Sequence, residues 1–149
     1  MTVRLVGPPR GAGLPEIDAK RVRARARRVL AALGHTRSEL SLALVDDAAM
    51  RELNGTWRGK ARPTDVLSFS MLEGEGAEHR RALLGDVVIS VETARRQARE
   101  RHRALDEELT RLLIHGTLHL LGYDHVRDAD AKRMQAEERR VFRAVRDDG

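Results

Sequence analysis

The sequence predicts an α+β fold with one small mixed β-sheet packed against helices. Three patterns carry this prediction. Four short apolar runs are bounded by Gly, Pro or Asp, as strands are. Longer segments repeat apolar residues at helical spacing. One late segment is apolar nearly all round, which is typical of a central core helix. With 149 residues, the chain is expected to form a single domain over 1–149.

The first half of the chain alternates strand and helix. Thr2 to Val6 alternates and ends at Gly7-Pro8-Pro9, which predicts a strand followed by a loop through Gly13. A helix is predicted from Pro15 to Gly34, and six basic residues lie among the nine from Lys20 to Arg28. We interpret its basic faces as solvated, with contact to the phosphate backbone of an RNA as the alternative. Its apolar stripe consists of Ile17, Val22, Ala26, Val29, Leu30 and Leu33.

The middle of the chain predicts three strands and two helices. The strands are Leu40–Val45, Val66–Ser70 and Leu83–Val91, all of them rich in apolar residues. A short helix is expected from about Ala48 to Asn54, capped by Asp46-Asp47, and a polar basic helix from Glu92 to Arg103. The Gly-rich and charged segment from Glu73 to Arg81 is expected to be an exposed connection.

Two helices are predicted at the end of the chain. The core helix starts near Leu105-Asp106, has acidic residues in its first turn and extends through Leu121. Asp128 is expected to cap the last helix, which continues through Val145. The predicted order is therefore β-α-β-α-β-β-α-α-α.

Composition favours a polyanionic partner. Lys and Arg number 28 against 23 Asp and Glu, so the net charge is +5 and the pI is about 10.6. Nearly all of the positive charge is Arg, which forks onto phosphate. Aromatic residues make up 3%, so contact with RNA is expected through phosphates and shape more than through base stacking. The lack of cysteine fits a reducing cytoplasm, and no segment is apolar and long enough to span a bilayer.

Three of the six histidines fall between His115 and His125. His115 and His119 are four residues apart, which places them on one face of a helix. Gly122 can adopt the left-handed conformation that ends a helix and lets the chain carry His125 back to the same point. Three imidazoles and no thiolates predict one Zn²⁺ per chain, with a fourth coordination position left for water.

The same spacing occurs in the metzincin pattern H-E-x-x-H-x-x-G-x-x-H, with one difference. Gly116 occupies the position of the glutamate that acts as the general base in those peptidases. The nearest acidic residue upstream, Glu108, lies about 10 Å away along a helix axis. Because the ligand frame is present without the base, the sequence favours a phosphodiester over a peptide as substrate.

The segment from His115 to His125, His-Gly-x-x-His-Leu-x-Gly-Tyr-Asp-His, resembles the signature of the YbeY-type endoribonucleases. Two further segments match that family: 57–69, Trp-Arg-Gly-Lys-Ala-Arg-Pro-Thr-Asp-Val-Leu-Ser-Phe, and 84–90, Leu-Gly-Asp-Val-Val-Ile-Ser. The resemblance implies a zincin-like fold, zinc bound by the three histidines, and a role in small-subunit rRNA processing and ribosome quality control. Ser70 departs from the family, which usually has Pro there.

Catalytic and RNA-binding residues are predicted beside the metal site. The resemblance implies an active-site Arg at Arg58, and we count His115 as catalytic as well as a ligand. Arg58 opens a cationic loop that also contains Lys60 and Arg62, and we expect all three to contact RNA. Asp65, Asp86 and Asp124 are candidates to orient the histidines, although each is equally compatible with a turn or cap role.

Three functions are compatible with these features. The first is a metal-dependent endoribonuclease specific for single strands, with RNA of the small ribosomal subunit as partner and neither DNA nor membrane expected. The second is a metzincin-like peptidase, which the missing glutamate disfavours. The third is a non-catalytic RNA- or ribosome-binding protein with structural zinc, which the open coordination position disfavours. Either a metal-bound water or the RNA 2′-hydroxyl can serve as nucleophile, and the termini of a cleaved RNA distinguish the two.

Overall fold

Strands and helices form in the predicted order within the part of the chain that the structure describes. The structure is a computed structural model and describes residues 2–8, 17–58, 64–71, 83–124 and 126–147, with the side chains of Trp57, Arg58 and Asp147 outside the description. The α+β class with a small sheet is therefore confirmed.

The sheet contains four described strands in the order β1-β2-β4-β3. These are β1 (Thr2–Val6), β2 (Glu39–Val45), β3 (Val66–Ser70) and β4 (Leu83–Ser90). β1 and β4 both pair parallel with β2, and β3 pairs antiparallel with β4. The sheet is thus mixed, as predicted, and β3 is an edge strand among the described strands.

Five helices are described: α1 (Ala19–Ala32), α2 (Asp47–Arg58), α3 (Val91–Glu100), α4 (Leu105–Leu120) and α5 (Asp128–Asp147). Three predicted boundaries were wrong by three residues or more. α1 starts at Ala19, after the N-cap Asp18, because the Asp18 side chain accepts a hydrogen bond from the Arg21 N–H. α3 ends at Glu100 because His102 has a φ of 54°.

The third wrong boundary changes the place of a predicted catalytic residue. α2 continues through Arg58 instead of ending near Asn54, so Arg58 closes a helix and does not open a loop. Met50 is fully buried and Leu53 packs beside it against the sheet. This packing outweighs the low helix propensity of Gly55, which costs only about 1 kcal/mol.

The helices cover the two faces of the sheet unequally. One face carries the main core, in which Leu42 and Leu44 of β2 meet buried residues of α1, α3, α4 and α5. The other face carries α2, where Met50 packs on Leu67 and Val88. Alternate residues of each strand thus face different layers, as the period of two in a strand requires.

α4 is the central helix that the sequence predicts. Ten of its sixteen residues are buried, and it contacts β3, β4, α1, α3 and α5. Its start is held by polar contacts: Arg25 of α1 donates to Thr110 Oγ1 at 2.9 Å and forms an ion pair with Asp106 at 3.0 Å. Arg25 is itself buried, so this member of the basic stretch 20–28 is neither solvated nor available to rRNA.

No helix within the described ranges combines the length and the apolarity needed to cross a bilayer.

Candidate metal centre

His115 and His119 face one another on the exposed side of α4, as their spacing predicts. Their Nε2 atoms are 3.2 Å apart, and the two rings meet edge to face with centroids 4.7 Å apart. Two neutral imidazoles that present Nε2 to each other need a proton or a cation between them, since each unprotonated nitrogen is an acceptor.

The separation of the two nitrogens fits a shared metal ion. Two imidazole nitrogens bound to a tetrahedral zinc at its usual bond lengths of about 2.0–2.1 Å lie about 3.3 Å apart. The observed Nε2–Nε2 distance is 3.2 Å. His115 and His119 are thus already at the spacing of two ligands.

A carboxylate of the last helix orients His115. Glu138 Oε1 of α5 lies 3.3 Å from His115 Nδ1, and both side chains are about a quarter exposed, at 22% and 27%. A carboxylate at Nδ1 favours the tautomer with hydrogen on that nitrogen, which leaves the Nε2 lone pair for a cation. The arrangement is the carboxylate–histidine pair that commonly supports a metal ligand.

Gly122 ends α4 as predicted. It has a φ of 97°, the Tyr123 N–H donates to the Leu118 carbonyl at 3.1 Å, and the Gly122 N–H donates to the His119 carbonyl at 3.1 Å. This pair of bonds is a Schellman motif, which turns the chain sharply after the helix. The third predicted ligand, His125, lies outside the described residues. Within the described ranges, His, Asp and Glu side chains form no cluster of three that could hold a metal.

Gly116, the residue in the position of the peptidase glutamate, faces the sheet. A Cβ at this position would lie 2.8 Å from Val87 Cγ1 and 3.1 Å from Ser68 Oγ. Ser68 of β3 also donates a hydrogen bond to the Gly116 carbonyl at 2.8 Å. The close approach of α4 to the sheet therefore favours glycine, and a larger residue here would have to displace Val87 and Ser68.

β3 contacts α4 over the part of the helix that carries the two histidines. Ser70 Oγ donates to the Leu120 carbonyl at 3.4 Å, and the Met71 N–H donates to the Leu84 carbonyl at 2.9 Å. Ser70, where the resembling family usually has proline, thus adds a side-chain hydrogen bond to α4. The next residue, Met71, still bonds to β4.

The three aspartates proposed as orienting residues are in different surroundings. Asp65 accepts from the Val66 N–H at 2.8 Å and from Gln97 Nε2 at 3.3 Å. Asp124 accepts from the Val126 N–H at 3.1 Å, an Asx-type turn. Asp86 lies half-buried in β4, paired with Phe69. In the described part of the chain, the carboxylate on a predicted ligand is instead Glu138.

The sequence contained a signal for Glu138 that our pattern reading missed. Met134, Val141 and Val145 form the buried stripe of α5, and Glu138 stands four residues after the first and three before the second. A carboxylate in the core-facing stripe of a helix needs a polar partner. Spacing alone did not reveal that this partner is His115 of another helix.

Tyr123 and Glu137 form a second polar contact at the end of α4. The Tyr123 hydroxyl donates to Glu137 Oε2 at 3.2 Å, and Arg140 forms an ion pair with the same carboxylate. Burial and the nearby Glu137 raise the pKa of Tyr123 above its usual value. The hydrogen bond from Arg140 is the main cause of the lowered pKa of Glu137. Glu137 therefore stays ionised and joins α5 to the turn that follows α4.

The three residues predicted to contact RNA lie at or beyond the end of a described range. Arg58 is the last residue of α2, and its side chain is outside the description. Lys60 and Arg62 lie outside the described residues altogether.

Together these features define a class: a small α+β domain whose buried central helix presents a histidine pair backed by a carboxylate. A family model described as Endoribonuclease YbeY matches residues 13–146. The chain therefore belongs to the Endoribonuclease YbeY family, which confirms the resemblance noted in the sequence.

Relatives and a solved structure agree with this assignment. Endoribonuclease YbeY of Anaeromyxobacter sp. (strain Fw109-5) is 52% identical over 145 residues, which cover 97% of this chain and 72% of the relative. The protein of the same name from Geobacter sulfurreducens is 44% identical over 135 residues, or 89% of this chain and 90% of the relative. The solution structure of TM1509 from Thermotoga maritima aligns with a TM-score of 0.65 and 27% identity, covering 96% of this chain and 88% of that one.

Proposed function

We propose that this protein is a zinc-dependent endoribonuclease that cleaves single-stranded RNA and acts in the maturation of small-subunit rRNA. The observation that carries the proposal is the histidine pair of α4, whose Nε2 atoms lie 3.2 Å apart at the spacing of two ligands of one ion. Family membership supports the reaction class, since the matching relatives are named endoribonucleases.

The residues that would hold the zinc are His115, His119 and His125. When bound, the ion supplies a Lewis acid for the phosphoryl oxygens and lowers the pKa of a coordinated water. Glu138 holds the His115 ring in place through Nδ1. Because α4 is anchored on both sheet and helices, the ligands are carried by a rigid element, which favours a fixed geometry.

The choice of RNA over peptide rests on Gly116 and on charge. Any side chain at position 116, where the peptidases carry their general base, would have to displace Val87. The chain has a net charge of +5, which favours a polyanion. Arg58 is proposed to stabilise the charge that develops on the phosphate, and Lys60 and Arg62 are proposed to bind the neighbouring backbone.

A direct comparison of substrates tests the proposal. The protein, loaded with one equivalent of zinc, is incubated with a single-stranded RNA, with small ribosomal subunits and with an unstructured peptide. We expect cleavage of RNA that is lost after zinc is chelated and restored when zinc is added back. Hydrolysis of the peptide alone would support a peptidase, and ribosome binding without any cleavage would support a structural zinc protein.

Arg58→Ala tests the proposed catalytic arginine. We expect the rate to fall roughly a hundredfold to a thousandfold while zinc content and melting temperature stay near wild type. Arg58→Lys should restore only part of the rate, because an ammonium cannot fork onto two oxygens. Cleavage by Arg58→Ala at the wild-type rate would exclude the role.

A further inference from the structure

A basic groove lies between α4 and α5, beside the histidine pair. It has a volume of about 510 Å³ and is open to solvent. Its charged lining consists of Arg103, Arg111, Arg139, Arg143, Arg146 and Glu138. We call this surface the arginine groove. Five guanidinium groups in one groove repel one another, and a bound polyanion relieves that repulsion.

The arginine groove is built from one face of α5. Arg139, Arg143 and Arg146 are spaced three or four residues apart, as are Glu138 and Phe142 beside them, which aligns both sets along the helix. From Gln135, which also lines the groove, to Arg146 the face extends about 16 Å along the helix axis. The positive charges are thus spread in a row along the helix.

Most of these arginines have no acidic partner in the described structure. Arg111 uses its Nε to bind the buried Glu108 at 2.6 Å. Among the described residues, no carboxylate forms an ion pair with Arg103, Arg139, Arg143 or Arg146. The three α5 arginines are exposed. By contrast, Arg133 and Arg140 of the same helix are each paired with an acidic residue one turn earlier.

The groove borders the histidine pair through Glu138. Glu138 lines the groove and contacts His115, and Ile114, which forms part of the floor, precedes His115 in α4. The one acidic residue in the lining is therefore oriented towards the metal ligand. A polyanion in the groove would therefore lie beside the carboxylate that supports His115.

The floor of the groove contains apolar groups between the charges. Phe142 is half-buried and Ile114 is buried beneath the arginines. A single-stranded nucleic acid offers both phosphates for the guanidinium forks and flat apolar faces for an aromatic floor. An acidic protein segment would satisfy the charges, but it offers a flat face to Phe142 only where it happens to carry an aromatic residue.

We propose that the arginine groove binds the backbone of single-stranded RNA on one side of the scissile bond, and so sets the affinity for long substrates. The inference rests on the proposed endoribonuclease function for its substrate. It predicts that Arg139 and Arg143 contribute to binding and not to the chemical step.

The test compares two double variants that remove the same charge. Arg139→Gln/Arg143→Gln alters the groove, and Arg4→Gln/Arg37→Gln removes two exposed arginines that neither line it nor belong to the basic stretch 20–28. The probe is a fluorescent 2′-O-methyl single-stranded RNA of about twelve nucleotides, whose dissociation constant is measured over a range of salt concentrations with the zinc-loaded protein. Melting temperatures establish that each variant is folded.

The groove variant is expected to bind roughly tenfold more weakly, and the slope of log Kd against log salt should fall by about 1.4, for two lost phosphate contacts. KM for a cleavable RNA of the same length should rise while kcat stays near wild type. Equal affinity and equal slope for the two variants would overturn the proposal. Loss of binding to polyglutamate without loss of binding to RNA would overturn it in favour of an acidic protein partner.

Binding of the probe is measured separately from cleavage, with the probe shown to stay intact on a denaturing gel, so the two proposals fail separately. If the wild type cleaves no RNA, the proposed function fails, while the salt slope still decides whether RNA lies in the arginine groove.

Discussion

The two halves of α4 use polar residues in opposite ways. In the first half, Glu108 is fully buried and is bound by Arg101 at 2.8 Å and Arg111 at 2.6 Å. In the second half, His115 and His119 are part-exposed, and their Nε2 atoms face each other at 3.2 Å. The first half contains charges that the protein itself neutralises. The second half presents two imidazole nitrogens at the spacing of two ligands of one ion.

The first half of α4 therefore anchors the helix, and the second half carries the candidate metal ligands. Buried ion pairs are costly to desolvate and cannot rearrange easily once formed. They fix where α4 starts, and Gly116 fixes how closely it approaches the sheet. The histidines can then be held at ligand spacing without forming the fold themselves, as expected of a preorganised site.

The largest effect is expected from His119→Ala, which removes one member of the histidine pair. Zinc content should fall well below one per chain, and RNA cleavage should drop by at least about a thousandfold, because a zinc site with one ligand fewer holds the ion weakly. Metal analysis and a cleavage assay measure the two losses. His102→Asn is the control, since this exposed histidine lies in a turn with positive φ that asparagine tolerates. Full zinc occupancy in His119→Ala would contradict the assignment.

Glu108→Gln tests the anchoring half. We expect the free energy of unfolding to fall by about 2 kcal/mol, because the change weakens two charge-assisted contacts at a buried carboxylate while Arg101 and Arg111 keep part of their contact with water. Urea denaturation at saturating zinc measures it, and zinc per folded chain should stay near wild type. The neighbour Glu107 provides the control variant Glu107→Gln, which should change stability by no more than about 0.5 kcal/mol. Equal stability of the two variants would show that Glu108 anchors nothing.

Glu138→Gln tests the carboxylate that supports His115 in the second half of α4. Zinc affinity should weaken about tenfold to a hundredfold, because the amide is a poorer acceptor for the His115 Nδ1 hydrogen. Competition with a chelator measures the affinity. Glu137→Gln alters the adjacent carboxylate, which binds Tyr123 and Arg140 instead, and should leave zinc affinity unchanged. A similar loss in both variants would mean that α5 acts through general charge and not through His115.

The smallest effect is expected from Gly116→Ala, which tests the contact between the halves and the sheet. Alanine normally stabilises a helix relative to glycine by about 1 kcal/mol. Here the added Cβ meets Val87 Cγ1 at 2.8 Å, so overpacking should make the variant less stable by about 1–2 kcal/mol.

A double-mutant cycle with Val87→Ala checks the cause of that loss. Removing the Val87 methyl groups relieves the clash, so the double variant should be more stable than the sum of the two single changes predicts. If the two changes are strictly additive, the loss of stability in Gly116→Ala does not come from its contact with Val87.

Local patterns were sufficient for the order of elements and for the position of the histidine pair. The stripe of α1, the period of two in the strands and the apolar surface of α4 are properties of neighbouring residues, and burial follows from them. His115 and His119 are four apart on a helix, so their proximity is local too. The end of α4 at Gly122 was predictable for the same reason, since only glycine adopts that φ readily.

Tertiary structure decided the features that depend on residues distant in sequence. The pairing of Glu138 with His115, the burial of Arg25 against Asp106 and the extension of α2 to Arg58 all depend on which elements pack together. The arginine groove likewise exists only because α5 lies against α4. A sequence pattern reports which face of a helix is apolar, but not which side chain of another helix meets it, because that choice is made by the packing of the whole core.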